Sequence, residues 1–540
     1  MKKIYSLLLL VAVALSFAAC SKSAFSDKYH DPSKTTTTSC DKLMTGAFMA
    51  GNGYTFNDYW RMYTWDNYFG KLAQTIGLGV DSGSMYFIND GYANDRWNNF
   101  YNILRQYRVM QNLWSAEEGE DKNQDRIFLA LTEVFLYDHL SQIVDIFGPV
   151  PFTKAAYLGI TGDLASSYPD YDSDVDLYKM MLTNLGDLYT EIGNFKPTEM
   201  TTGKLNAGDY ICGGDLEKWQ SYANSLQLRL GIHVAANGPL VAEGKSAIAQ
   251  AIGRKLITSW DESIVMNADK DGFNYADAFH SGFVDLNNVA SQKVIDAFMI
   301  TGDEDPRLEL VYFPNENGEY FGEHVGETTK EQEEHNTYEK YEDRYYARLN
   351  AATFTYNNLF ISPVITAAEV NFLLAEAYQQ QYANGGSAEN AFKNAIVQSC
   401  KQYYDLNLKT SQWKTGAPAG NQYFNKIEED EVLSDAELMT FAGKIWAAYD
   451  NKMEGIMTQK WAHFGITQAT QAWTDIRRTG YPALSYPTDN GPGATVKNIV
   501  NRVKYPNTEA SNNTEKYEAA KASVGGDSRD YVLFWAKKLE

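Results

Sequence analysis

Apolar residues recur at helical spacing along much of this chain. From Asn123 to Phe147, Leu129, Leu136, Leu140, Ile143 and Phe147 mark one stripe, and Ile127, Leu131 and Val134 mark a second. A helix with two apolar stripes is covered on two sides, as in stacked helical layers. The span Asp174 to Ile192 opens with acids, which suit the positive end of a helix, and carries Leu177, Met181, Leu185 and Leu188. Leu216 to Ala236 repeats the pattern with Trp219, Tyr222, Leu226 and Leu230. Further on, Ala367 to Gln381 and Glu389 to Lys401 flank Asn384-Gly385-Gly386-Ser387. This predicts a helical hairpin with turn glycines and Ser387 as the N-cap of its second helix.

The period fails between Thr258 and Ser362, where Gly, Asn, Asp, Tyr and a charged run dominate. It fails again from Leu406 to Glu431 and in the Pro-, Asn- and Gly-rich tail from Gly480. Long irregular stretches inside a compact chain carry function more often than they serve as linkers. Nothing reads as an inter-domain linker, so residues 40–540 are expected to form one domain with an irregular insert over about 258–362. Ala368, Phe372, Ala375 and Tyr378 follow the A-x3-F spacing of tetratricopeptide hairpins. The predicted fold is mainly α, a tetratricopeptide-like helix-pair scaffold with long irregular loops.

The first residues read as a processing segment. Lys2 and Lys3 precede the apolar run Leu7 to Ala19, too short for a membrane-spanning helix, so residues 1–19 are expected to be a secretory signal. The run ends Leu15-Ser16-Phe17-Ala18-Ala19-Cys20, similar to a lipobox, which makes Cys20 the expected acylated first residue of the mature chain. Residues 20–39 are polar and suit a flexible tether. Acylation would hold the protein on a membrane through its lipid.

Charge narrows the function. The 540 residues carry 47 basic and 69 acidic side chains, a formal charge of −22, and removal of residues 1–19 deletes two lysines. So acidic a surface argues against nucleic-acid binding, which needs clustered Lys and Arg. The cysteines after Cys20 are Cys40, Cys212 and Cys400, an odd set with no C-x-x-C. They are expected to be small buried residues rather than a disulfide framework. Aromatics make up 14% of the chain, with 37 Tyr, 26 Phe and 11 Trp. They either fill the core or build stacking surfaces.

Several phrases together carry a resemblance. They are Val144-Asp145-Ile146-Phe147-Gly148-Pro149-Val150-Pro151-Phe152, then Gly213-Gly214-Asp215-Leu216-Glu217-Lys218-Trp219 with Ala223 to Leu230, then Ser362-Pro363-Val364-Ile365 before Ala368-Glu369 and Ala375-Glu376-Ala377. Towards the end stand Gln459-Lys460-Trp461, Ala472-Trp473-Thr474-Asp475-Ile476-Arg477-Arg478-Thr479-Gly480-Tyr481-Pro482 and Arg502-Val503-Lys504-Tyr505-Pro506. In this order over residues 20–540, the chain resembles the SusD/RagB family of outer-membrane nutrient-binding lipoproteins, in its second SusD-like subfamily. The resemblance implies tetratricopeptide-like helix pairs and an outer-membrane position facing the exterior. It also implies a SusC-like TonB-dependent transporter as partner and an oligosaccharide or peptide as ligand. Physically, Gly148-Pro149 stops a helix, Trp219, Leu226 and Leu230 are spaced as core, and Asp475, Arg477 and Arg478 are expected to form a structural ion-pair cluster.

Catalytic and cofactor motifs are missing from the sequence. Gly238 and Gly244 enclose five residues before Lys245-Ser246 where a phosphate loop needs four, so the stretch reads as a helix start. Asn267-Ala268-Asp269-Lys270-Asp271-Gly272 imitates a calcium loop, but its twelfth position is Ala278 instead of Glu, and a turn is the better account. There is no G-x-S-x-G, and no two histidines have zinc-ligand spacing. The expectation is therefore a binding protein with no enzyme activity, cofactor or metal; a surface hydrolase and a lid that touches no ligand remain as alternatives. Ligand contact is expected from aromatics in loops, where a ring stacks on a sugar face or a peptide side chain while Asn and Asp meet polar groups. One cluster is Trp60, Tyr63, Trp65, Asp66 and Asn67, and a second is Tyr86, Phe87, Asn89 and Asp90. The third, in the insert, is Tyr320, Phe321, Tyr338, Tyr341, Tyr345 and Tyr346. Trp97 and Tyr101, four apart on a helical stretch, are expected in the core.

Overall fold

The computed structural model describes residues 38–56, 58–77, 88–267, 289–324, 346–357, 359–410, 423–486 and 500–537. Cys20, most of the tether and the calcium-like turn lie outside them. The helices that position the rest are α1 (Cys40–Thr55), α2 (Asn67–Leu72), α3 (Asp90–Ser115), α4 (Gly119–Phe147), α5 (Asp174–Asn194), α6 (Glu199–Gly208), α7 (Leu216–Val234) and α8 (Val241–Ile252). They continue with α9 (Ala367–Gln379), α10 (Ala388–Leu408), α11 (Asp435–Ala448), α12 (Lys452–Phe464), α13 (Ala469–Thr479), α14 (Asn507–Asn512) and α15 (Thr514–Ser523). A π-helical stretch, Trp60–Asp66, runs straight into α2.

The two-stripe reading of α4 holds: Ile127, Leu129, Leu131, Val134, Leu136, Leu140, Ile143 and Phe147 are all buried. This helix is long and apolar enough to cross a membrane, but it lies within the bundle. Helix α7 packs on α4, α5 and α8 and also reaches α9, which joins the halves of the chain on either side of the insert. Helices α9 and α10 form the predicted hairpin, and the Ser387 side chain accepts the Asn390 N–H to cap α10. Helix α10 runs past Lys401 to Leu408 and so takes the start of the stretch expected to be irregular. The insert is closed at its base by an antiparallel pair, Ile264–Asn267 with Ile361–Ile365. Lys245 and Ser246 lie in the second turn of α8, which starts where the failed phosphate loop was read as a helix start. A Cβ on Gly244 would stand 2.7 Å from the Gly231 carbonyl oxygen, so the glycine permits the close approach of α7 and α8.

The apolar period does not single out α12 and α13, because their buried faces are partly charged. Gln459, Lys460, His463, Thr474, Asp475, Arg477 and Arg478 are all buried. Asp475 bonds Lys460 and Arg478, both at 2.9 Å, and Arg478 also holds Glu376 of α9 with Nη2–Oε2 at 2.8 Å. Burial disfavours the Asp475 charge, but Lys460 and Arg478 outweigh it and hold the carboxyl below the usual range. Arg477 donates to the carbonyls of Asp145 and Asn501 and stacks on Trp473 and Trp535. The expected cluster is structural. Cys40 and Cys400 are fully buried and Cys212 is half-buried, and no disulfide joins them among the described residues.

Two outcomes follow from the buried charges. Arg229 of α7 bonds Glu369 of α9 through Nε–Oε1 at 2.5 Å and Nη2–Oε2 at 2.8 Å, with both side chains almost fully buried. Glu369→Ala should cost about 3–5 kcal/mol in urea unfolding, because it strips a buried cation of its main partner. Asp303→Ala, which breaks the exposed pair with Lys444, should cost under about 1 kcal/mol.

His463 lies between the hydroxyls of Thr366 (3.1 Å) and Ser399 (2.9 Å). Burial, then Arg307 and Lys460, push its pKa from 6.5 down to about 3. Between those values the unfolded chain binds a proton that the folded chain refuses, so stability falls as pH falls through this window. One such group removes about 1.5–2 kcal/mol between pH 6.5 and 5. Asp66, raised by burial from 3.8 to about 7 despite Arg61, acts in the opposite sense over its own window. His463→Gln should therefore lose less stability than the wild type between pH 7 and 5 in thermal melts.

Candidate ligand-binding site

The π-helical stretch separates its aromatic residues into two sets. Trp65 is 3% exposed and meets Tyr54 (6.0 Å) and Phe69 (5.0 Å) edge to face. Asn67, the first residue of α2, is equally buried. A ligand arriving from solvent cannot stack on Trp65 in this arrangement. Tyr59 and Trp60, by contrast, are 43% and 41% exposed. The Tyr59 and Tyr63 rings stack at 4.9 Å with an interplanar angle of 13°, and Trp60 stands edge-on to Tyr59 at 5.4 Å. Trp60 lies against α1, where a Cβ on Gly53 would come within 3.2 Å of its indole.

Arg61 decides which side faces in. Its guanidinium donates to the carbonyls of Thr55 (2.9 Å) and Thr467 (2.6 Å) and to the Ser362 hydroxyl (3.0 Å), and it pairs with Asp66 at 3.1 Å. Five donors in a planar fork can satisfy four partners from separate elements, which a Lys could not do. With Arg61 drawn inward, its neighbours Tyr59, Trp60 and Tyr63 remain on the outer side. The Thr64 hydroxyl bonds the Trp60 carbonyl and fixes the turn further. Tyr92 of α3 joins the group: burial first, then Tyr59, Tyr63 and Asp95, raise its phenol pKa. The result is a surface on which Tyr59 and Trp60 are exposed and Tyr63 and Tyr92 are half-buried, with half-buried Asp95 near Tyr92. π-Helical turns occur frequently at functional sites.

The second predicted cluster is described only in part, since Tyr86 and Phe87 lie outside the described residues. Asn89 caps α3, its Oδ1 accepting from the Gly91 N–H at 2.8 Å. Asp90 Oδ1 accepts from the Asn507 N–H at 3.1 Å and ties α3 to the start of α14. Both side chains are thus engaged locally. In the third cluster, Tyr338, Tyr341 and Tyr345 also lie outside the described residues. Tyr320 is half-buried against the core, Tyr346 is buried, and Phe321 stacks on Tyr346 at 5.9 Å. Trp97 is buried against Phe147 and Tyr505, and half-buried Tyr101 packs on it and donates to the Pro151 carbonyl. Both therefore belong to the structural packing, as expected. Sequence reasoning missed Tyr59 and Tyr92. Tyr59-Trp60-x-x-Tyr63 at helical spacing was the available signal for the first; nothing local marks Tyr92, which comes from another helix.

Comparison with known proteins bears on this arrangement. Residues 34–536 match the family model described as SusD-like, SusD and RagB outer-membrane lipoprotein. Among solved structures, a chitin-binding protein is similar at 21% identity, with a TM-score of 0.69 over 92% of this chain and 100% of that one. A SusD homolog from Bacteroides fragilis shares 19% identity, with a TM-score of 0.68 over 93% and 100%. A chitin-binding SusD homolog from Flavobacterium johnsoniae shares 19%, with a TM-score of 0.66 over 92% and 99%. No curated protein sequence matches. The helix-pair architecture agrees with these structures in fold, and the family match covers nearly the whole chain: it belongs to the SusD/RagB family of outer-membrane lipoproteins.

Proposed function

We propose that this protein captures an oligosaccharide at the outer-membrane surface and passes it to a SusC-like TonB-dependent transporter, acting by binding alone. The exposed Tyr59 and Trp60 rings, with half-buried Tyr63 stacked on Tyr59 and half-buried Tyr92 nearby, carry this reading. Exposed rings held in place offer the apolar C–H face of a sugar a partner at little entropic cost, and Asp95 can accept from hydroxyls. Tyr86, Phe87, Asn89 and Asp90, close by in sequence, extend the proposed site, as do Tyr320, Tyr338, Tyr341 and Tyr345 of the insert. Trp65 and Asn67 support it from beneath. Chitin binding by two relatives of the same fold favours a glycan over a peptide. Acylated Cys20 and the polar tether would hold the protein on the membrane, facing outward.

Calorimetric titration with chito-oligosaccharides, other glycans and peptides tests the ligand class. Tyr59→Ala and Trp60→Ala should each weaken binding roughly ten- to hundredfold, the range of about 1–3 kcal/mol per stacked ring. Their melting temperatures should stay near that of the wild type, whereas Trp65→Ala should lower it. Wild-type affinity in both surface variants would move the site away from this surface. Binding of peptides alone would replace the glycan reading.

Cys20→Ser should release the protein from the membrane fraction of cells, since the thiol is the point of acylation. Full retention of the variant, in cells that lack the transporter as well, would exclude the lipid anchor.

A further inference from the structure

Beneath the aromatic surface lies a chamber of about 50 Å³ among α1, the π-helical stretch, α3, α4, α7 and the Gln468–Gln471 segment. At about 10–15 Å³ for each water-sized occupant, it takes roughly three to five. Its walls are charged. Arg61 and Asp66 pair with each other, and Arg229 is held by Glu369 and Asp138. Arg96 of α3 is different. It is completely buried and makes no ion pair among the described residues.

The contacts of Arg96 leave most of its donors unused. Its guanidinium lies over the Tyr54 ring at 4.8 Å, and Nη2 reaches His139 Nδ1 and Gln142 Oε1, each at 3.3 Å. Arg can only donate, so His139 Nδ1 accepts, and the ring proton sits on Nε2, facing the Thr55 hydroxyl at 3.0 Å. His139 is therefore neutral and brings no charge. Among the described residues Arg96 Nε and Nη1 have no partner, and neither have Nε1 of Trp65 and Oε1 of Gln468, two residues that also line the chamber. The carboxylate nearest in the network, Asp138, is engaged on both oxygens. Oδ1 takes Arg229 and Gln142, and Oδ2 takes the Tyr222 hydroxyl at 2.5 Å. Asp66 is engaged by Arg61.

Three buried N–H-bearing atoms, two of them on a cation, lack an acceptor among the described residues. The positive charge of Arg96 favours an anion in that role, and the Gln468 amide is able to turn its NH2 towards it. A buried unpaired charge is among the least tolerable features of a core. We propose that this chamber binds a small inorganic anion of halide size, held by Arg96 Nε and Nη1 with Trp65 Nε1. Because Trp65 and Arg61 belong to the same turn as Trp60 and Tyr63, the ion would brace the base of the aromatic surface. The proposal does not depend on what, if anything, that surface binds.

Chloride and bromide are the probes. The mature chain, purified in detergent, is melted in sodium chloride, sodium bromide and sodium gluconate at matched ionic strength. Bromide-soaked crystals of the same protein are measured at the bromine absorption edge. A halide site predicts a melting temperature that rises by about 1 °C for each tenfold increase in halide above saturation, relative to gluconate. It also predicts an anomalous peak beside Arg96 and Trp65. Arg96→Gln should abolish both, and the wild-type measurements stand even where that variant fails to fold. Equal melting in all three salts with no peak in the chamber means that it holds water only, and overturns the proposal. A peak without any shift in melting means binding at crystal concentration only, and a shift with the peak elsewhere places the ion at another site; either result overturns it too.

Discussion

Much of this structure depends on one buried arginine. Arg229 projects from α7 into the seam between the two halves of the chain. There it bonds Glu369 of α9 through two hydrogen bonds, Asp138 of α4 at 3.3 Å and the Val364 carbonyl at 3.0 Å. Burial works against its charge, but Glu369 and Asp138 outweigh that and hold it protonated. Such a cluster adds little net stability over an apolar seam of the same volume. Its effect is on choice: α9 can dock on α7 in only one register, because any slide of one turn would leave both charges buried and unpaired. The strand Ile361–Ile365, which closes the insert, is fixed by the same side chain.

Helix α9 repeats the device two turns later, where Glu376 receives Arg478 of α13. Arg478 in turn shares Asp475 with Lys460 of α12. Glu369 and Glu376 thus turn one face of a largely apolar helix into two sockets, one for each neighbouring helix. Both Ala-Glu phrases on either side of Phe372 thus carry a buried acid, and Lys460 and Arg478 of this network sit in the Gln459–Trp461 and Asp475–Arg478 phrases.

The same chemistry divides what was legible in the sequence from what was not. Helices α4, α5, α7, α9 and α10 were readable because their buried faces are apolar and periodic. Helices α12 and α13 were not, because Lys460, His463, Asp475 and Arg478 occupy core positions where a pattern reader expects Leu. At the site, the Trp60–Asn67 cluster was found as a unit, but its inward and outward members could not be told apart. At about 100° per residue, Trp60 and Trp65, five apart, fall on different sides of a helix, but spacing alone does not say which side faces in. What sets the direction is Arg61, through partners at Ser362 and Thr467 that lie hundreds of residues away in sequence. Asn89 shows a second kind of overlap: a polar residue next to aromatics has the composition of a contact, and the same side chain also caps a helix.

These constraints converge on the aromatic surface. A stacking ring contributes to affinity in proportion to how little motion it loses on binding. Trp60 is seated against Gly53, Tyr63 is stacked on Tyr59, and the backbone between them is held by Arg61 and by the Thr64–Trp60 contact. Arg61 is itself anchored to Ser362, in the strand next to Val364, whose carbonyl Arg229 holds. A path of direct bonds therefore runs from the helix seam to the base of the exposed rings. Its physical consequence is that loss of the seam should loosen the surface before it unfolds the bundle. The turn has its own backbone bonds, but it is a single short stretch whose seat on the bundle is set by Arg61's distant partners, whereas the long helices keep many turns of their own ladder.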